Sequence, residues 1–293
     1  MNRLCRLRPS AAFLARMPPE LGGSEFVCDL RDSISREVCF TGRYEAQETA
    51  LVRSVLRPDM SFVDVGANWG YFTLIAAHMV GAAGRVLSLE PDPRLFARLN
   101  EGVTRNGLTQ VTPLPVAAGA ETATLSLSGY DEKSDNFGLS RVAGAPAADG
   151  VEFAIAARAL DDVLDEAGLA SVDLLKMDIE GYEGFALSGM KRWLAAGRIK
   201  RIILELHPEQ LAEHDHSASE LIERLTGYGY RPLRIDHSPA TFRRAAYGRH
   251  PEPDSFLTPL EPGEALDKWP HMFLTLREID LTAGVAPSSP FVS

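Results

Sequence analysis

Phe62-Val-Asp-Val-Gly-Ala-Asn-Trp-Gly-Tyr-Phe72 is the stretch whose reading decides the fold. A buried-strand run, Ser61–Val65, enters a turn that carries Gly66 and Gly70. It leaves as a mostly apolar helix, Tyr71–Val80, closed by Gly81. Strand, glycine turn and helix in that order build the crevice where open α/β sheets bind ligands. Gly66 lets the backbone turn tightly, and Gly70 permits close approach of a ligand or strand to the helix start. The spacing is D-x-G-x-x-x-G, whereas the dinucleotide fingerprint reads G-x-G-x-x-G. Asp64 at the strand end repels a pyrophosphate and suits a cationic ligand.

The reading extends in both directions. Arg85–Leu89 is a second strand that ends in Glu90, about 20 residues past Gly70, where a carboxylate accepts hydrogen bonds from both ribose hydroxyls. Taken singly, these features read as a turn glycine pair and a solvated strand-end acid. Together in one β-α-β unit they point to a nucleoside that also carries positive charge, as S-adenosylmethionine does. Asp92 is a helix N-cap, Pro93 takes the first helical position, Leu95, Phe96, Leu99 and Val103 share a face, and Gly107 follows the helix end.

Further strands are expected at Gln110–Pro115, 122–128, Val151–Ala156, Val172–Met177, Arg201–Leu206, Tyr230–Leu233 and Met272–Leu276. Helices are expected at Leu160–Ala167, around Phe185–Leu194 and at Ser219–Leu225. The Gly- and Ala-rich stretch 129–150 reads as a long loop, a length often reserved for function. Upstream, Glu25–Leu30 and Glu37–Phe40 read as short strands and Tyr44–Leu56 as a helix closed by Pro58. Strands alternating with helices imply a doubly wound, mostly parallel α/β sheet. The expected division is an N-terminal extension over 1–43, one catalytic domain over 44–280 with 235–270 as insertion or lid, and a flexible tail over 281–293.

Composition narrows the classes. The 293 residues are 45% hydrophobic and 24% charged, as in globular domains, with a formal net charge of −10. That acidity argues against a nucleic-acid partner. Cys5, Cys28 and Cys39 form no CxxC or Cys/His zinc spacing and read as reduced thiols. The apolar patch Ala11–Ala15 is too short for a signal-peptide core, and no run spans a bilayer. The expectation is a cytoplasmic protein.

The glycine loop, Glu90-Pro91 and above all Leu174-Leu-Lys-Met-Asp-Ile-Glu-Gly-Tyr-Glu183 resemble the FkbM-type methyltransferases, over about residues 40–234. The family's K-[IM]-D-[VI]-E-G-x-E segment stands here at Lys176–Glu183, with Gly189 near the end of the next helix and Ile202–His207 as a matching strand. The resemblance implies a class I, Rossmann-like seven-stranded sheet and S-adenosylmethionine as cofactor. It implies O-methylation of a hydroxyl on a small molecule, sugar or lipid. Asp64, Gly66, Asn68 and Gly70 would line the methionine portion, Glu90 would hold the ribose, and Val116 and Ala117 would lie near the adenine. Trp69 replaces a smaller apolar residue and is expected to narrow the cofactor mouth.

Methyl transfer needs donor and acceptor aligned, and a weakly acidic hydroxyl also needs a general base. Asp178, Glu180, Glu205 and His207 lie at the ends of two strands that this fold makes neighbours. Asp178 is the candidate for cofactor or acceptor contact, with Glu180 and His207 as candidate bases. Lys176 reads as a buried ion-pair partner of one of these acids. No metal is expected, although carboxylates and a histidine would suit a hard cation. Asp135–Gly138 and Arg243–Tyr247 are possible acceptor contacts or plain loop surface. Two other functions stay open: a nicotinamide-dependent oxidoreductase, and a non-catalytic nucleoside-binding scaffold of the same fold.

Overall fold

Ser61–Val65 and Leu174–Met177 are buried at every position, and strands apolar on both faces belong in the middle of a parallel sheet covered on both sides. The computed structural model describes residues 12–130, 140–142, 150–241, 252–261, 264, 266 and 270–277. The tail 281–293, Cys5 and the stretches 135–138 and 243–247 lie outside the described residues.

The strands are β1 (Phe13–Arg16), β2 (Glu25–Cys28), β3 (Ser61–Val65), β4 (Arg85–Leu89), β5 (Val111–Leu114), β6 (Val116–Gly119), β7 (Ala123–Tyr130), β8 (Ser140–Val142), β9 (Gly150–Ala159), β10 (Leu174–Met177), β11 (Arg201–Glu205), β12 (Tyr230–Ile235), β13 (Leu257–Pro259) and β14 (His271–Leu276). The helices are α1 (Ser33–Thr41), α2 (Ala46–Val55), α3 (Tyr71–Val80), α4 (Pro93–Arg105), α5 (Leu160–Glu166), α6 (Glu183–Ser188), α7 (Lys191–Ala195), α8 (Pro208–Ala212) and α9 (Ala218–Gly227).

The main sheet has the order β13-β12-β14-β11-β10-β3-β4-β5. From β5 to β11 the strands pair in parallel. β14 runs antiparallel to both β11 and β12, and β13 runs antiparallel to β12, so two reversed strands interrupt the parallel order toward one edge of the sheet. This is the mostly parallel, doubly wound architecture of class I methyltransferases. The expected seven strands become eight because β13, from the stretch read as an insertion, adds to the β12 edge.

Alternation along the strands divides the interior. Val63 and Val65 face one apolar cluster with Trp193, Leu187 and Leu221, while Phe62 faces the other with Leu51, Leu74 and Phe26. A second sheet, β6-β9-β7-β8, stands beside the main one. Its β8 falls inside the stretch expected to be loop, where Leu127 pairs with Val142.

One upstream element differs from its reading. Glu37–Phe40 is helical, not extended, because Asp32 caps α1 through Ile34 N and Ser35 N and Gly42 closes it at φ 79°. The alternation of Glu37-Val-Cys-Phe40 imitates a strand, but a side-chain cap and a left-handed glycine at the two ends specify a helix.

Candidate active site

The C-terminal ends of β3, β4, β10 and β11 open onto one cleft enclosing about 1010 Å³ of space, part of it open to solvent. It is lined at one end by Gly66, Asn68, Glu90 and Leu95, along the side by Val116, Ala117 and Leu127, and at the other end by Lys176, Asp178, Glu180 and Glu205.

The glycine loop is built by close backbone approach. Gly66 sits at φ +85°, and a Cβ there would lie 2.0 Å from the carbonyl oxygen of Asp178, so the loops after β3 and β10 touch through their backbones. Gly70, at φ +100°, precedes α3, and a Cβ there would meet Leu99 at 2.7 Å. Between them Asn68 adopts φ 53° and its side chain accepts from Trp69 N at 2.8 Å.

Two backbone amides, one of them from that loop, converge on one acid. Glu90 accepts from Asn68 N and from Asp92 N, each at 2.8 Å, and is only 5% exposed. Burial pushes its carboxyl up to about 8, with the two amide bonds opposing. A carboxyl held by backbone donors inside a cleft is fixed in direction and presents its remaining lone pairs to a ligand.

Asp64 takes a different place from the one expected. It is not among the cleft-lining residues; its carboxylate accepts from Thr73 Oγ1 at 2.7 Å, and Thr73 in turn meets Ser88 Oγ at 2.8 Å. The residue is fully interior, with burial raising its pKa to about 6. Alternation puts Asp64 beneath α3, and Thr73, one turn into that helix, captures it. Trp69 lines the cleft, but its ring stacks on Phe26 with centroids 4.9 Å apart, which pins β2 behind the glycine loop.

The opposite end is crowded with charge. Lys176 Nζ lies 3.3 Å from Asp178 Oδ2, 3.7 Å from Glu45 Oε2, and 4.7 Å over the Phe72 ring. Burial alone would lower the ammonium pKa, but Asp178, Glu45 and Glu205 outweigh it and raise it. Burial likewise acts to raise Asp178, yet Lys176 and His207 hold it below the usual carboxylate range. Glu205 is pushed well up by burial and by the negative charge of Asp178 and Glu45.

His207 sits under these acids rather than in the cleft wall. Its Nδ1 is 3.2 Å from Glu183, and Nε2 is 3.5 Å from both Glu180 and Glu205 and 3.9 Å from Asp178. Burial works to lower its pKa, but Glu183, Asp178 and Glu180 win and lift it to about 9. At neutral pH the ring is therefore an imidazolium, which has no free lone pair with which to accept a proton. Glu180 lines the cleft from a backbone at φ 53°. Sequence reasoning did not find Glu45, Glu48, Glu183 or His271 as neighbours of this end; they come from the start of α2, the start of α6 and the start of β14. The only sequence signal was Glu183, inside the Lys176–Glu183 segment.

The order of the strands puts the cleft at the C-terminal ends of a doubly wound α/β sheet, the place where such sheets bind ligands. The profile of the methyltransferase FkbM domain matches residues 64–232, and the chain belongs to that family. The 31-O-demethyl-FK506 methyltransferase FkbM of Streptomyces tacrolimicus is 29% identical over 205 residues, covering 60% of this chain and 74% of that protein. The 2-O-methyltransferase NoeI of Sinorhizobium fredii is 26% identical over 189 residues, covering 61% and 76%. Methyltransferase FkbM from Methylobacillus flagellatus, a solved structure, aligns with a TM-score of 0.43 at 17% identity over 83% of this chain and 59% of that one. Family membership removes the nicotinamide-dependent reading. Among the described residues no helix is long and apolar enough to cross a membrane.

The donor set suits the cofactor that the family implies. Glu90 offers acceptor positions for a diol, the apolar side with Leu89, Leu95, Val116 and Leu127 offers a shelf for a flat base, and the carboxylate-rich end favours positive charge.

Proposed function

We propose that this chain transfers a methyl group from S-adenosylmethionine to a hydroxyl of a small-molecule, sugar or lipid acceptor. The observation that carries the reading is Glu90, interior yet lining the cleft, with two backbone amides directing it. In this reading Glu90 holds the ribose hydroxyls. Gly66, Asn68 and Gly70 shape the wall beside the methionine portion, and Val116 and Ala117 flank the adenine. Asp64 acts from behind, by fixing Thr73 of α3. When bound, the cofactor supplies an electrophilic methyl on a sulfonium. The relatives that carry an O-methyltransferase name support a hydroxyl acceptor.

Glu180 is the general base of the proposal. Asp178 is already engaged by Lys176, which leaves it to orient the positively charged cofactor or the acceptor. His207 is a positioning residue: its positive ring, 3.5 Å from Glu180, holds that carboxylate at the cleft. Residues 44–280 make up the catalytic domain, with 1–43 as an extension and 235–270 as an insertion or lid. His237, in contact with Glu48 of α2, supports that placement.

Calorimetry with S-adenosylmethionine, its demethylated product and NAD tests the reading, followed by transfer of labelled methyl to sugars, polyketides and lipids. Micromolar binding of both sulfur nucleosides and label in an ether product are expected. Micromolar NAD binding with no response to either sulfur nucleoside would overturn it.

A further inference from the structure

Beyond the methyl-transfer cleft lies a second constellation, assembled from three distant parts of the chain. Glu48 of α2 is 1% exposed. Its Oε1 lies 2.7 Å from His237 Nε2 and 2.9 Å from His271 Nδ1, and the two imidazoles stack with centroids 4.0 Å apart. Among the described residues Glu48 Oε2 is buried with no hydrogen-bond partner. We infer that Glu48, His237 and His271 form a binding site for a divalent transition metal of zinc-like preference.

Three features argue for a metal over a plain hydrogen-bond hub. First, one carboxylate oxygen and two imidazole nitrogens lie within 4.8 Å of one another. That is the nitrogen-and-oxygen donor set of three-ligand zinc sites, which leave a fourth position open. Tetrahedral bonds of about 2.0–2.2 Å put ligand atoms about 3.3–3.6 Å apart, so each imidazole nitrogen must draw back from the carboxylate oxygen by roughly half an ångström to one.

Second, the far nitrogen of His271, Nε2, is 3.5 Å from Glu205 Oε1. A carboxylate on the other side of a ligating imidazole fixes its tautomer and raises its basicity, as the outer partners of metal-bound histidines do. Third, Glu48 Oε1 faces both rings while the equally buried Oε2 has no hydrogen-bond partner among the described residues. A cation between the rings would engage both nitrogens and bring the idle oxygen into use. His237, with 28% of its side chain exposed, leaves an entry path.

The site ties the start of the domain to its end. It joins α2 to the loop after β12 and to the first residue of β14, which pairs with Glu205 at the end of β11. A metal that binds only the folded chain stabilises it by mass action, so this one would hold the acceptor end of the cleft together from outside.

The untagged chain of 293 residues, stripped with chelator, is titrated with Co²⁺ and Zn²⁺ while visible absorption and the melting temperature are followed. The expected result is one equivalent of Co²⁺ with d–d bands, a melting point several degrees higher with saturating Zn²⁺, and a loss of affinity of thirtyfold or more in His237→Gln. His237→Gln is the primary variant because its ring is partly exposed; His271→Gln is the second, read only with a native circular-dichroism spectrum. His207→Gln should leave the d–d bands in place. No binding above that of the His237→Gln chain overturns the site. So does binding that survives His237→Gln and is lost in His207→Gln, which would move the metal to Asp178, Glu205 and His207.

Discussion

The two ends of the cleft solve opposite problems. At the Glu90 end a single acid is directed by two backbone amides from its own neighbourhood. At the Asp178 end, Glu45, Asp178, Glu180, Glu183 and Glu205 crowd around Lys176 and His207, so each charge is set by the others. The first arrangement is suited to holding a ligand of fixed shape, since amides do not titrate and cannot swing away. The second is suited to moving protons, because its members shift one another's affinities.

The largest effect that tests this contrast is on turnover. Glu180→Gln removes the proposed base while keeping its size, and should lower kcat by about a hundredfold or more with the cofactor dissociation constant unchanged. Single-turnover kinetics with the true acceptor decides it. A kcat within threefold of wild type would transfer the role to Asp178 or leave alignment alone to drive transfer.

Glu90→Ala should act the other way, raising the cofactor dissociation constant at least tenfold, a loss of about 1.4 kcal/mol, while kcat at saturation stays within a few-fold. Calorimetry on the folded variant measures this. A mutant that binds normally but turns over slowly would erase the division of labour between the two ends.

A further test lies in pH, where the two ends respond in separate windows. Glu90 titrates at about 8 in the folded chain against 4.5 unfolded. Between those values the folded state binds the extra proton, so the contribution is full below pH 4.5 and is lost as pH rises through 8. For His207, raised from 6.5 to about 9, the contribution is full below pH 6.5 and is lost as pH rises through 9. Melting temperatures across pH should therefore decline less steeply from 4.5 to 8 in Glu90→Gln and from 6.5 to 9 in His207→Gln. Parallel curves for wild type and both variants would show that neither group is perturbed by the fold.

The same contrast explains what the sequence disclosed. The segment from Ser61 to Arg105 reads correctly because every determinant is local: alternation in β3, Gly66 and Gly70 in the turn, the Asp92 cap and Pro93 at the start of α4. Asp64 was legible as a strand-end acid but not as a partner of Thr73, since only the docking of α3 on the sheet brings the two together. The helix α1 was misread because its apolar pattern is weak and its caps decide it. His207 was found by its position after β11, yet its positive charge depends on Glu183 and Glu180, which no spacing rule predicts. His271 and His237 carried no local signal at all; they meet Glu48 only because β14 slots between β11 and β12.

The contact between Gly66 and the Asp178 carbonyl has a consequence for anyone who would retarget the enzyme. Under the proposed function, the loop assigned to the acceptor rests its main chain on the loop assigned to the nucleoside, like two hands sharing one rail. Transplanting the 178–182 segment from a relative with another acceptor preference would move that rail by whatever amount the donor backbone differs. A transplant that preserves the height of this one carbonyl keeps the cradle in shape. One that alters it detunes the first ligand while trying to recruit the second, however well the new side chains are chosen.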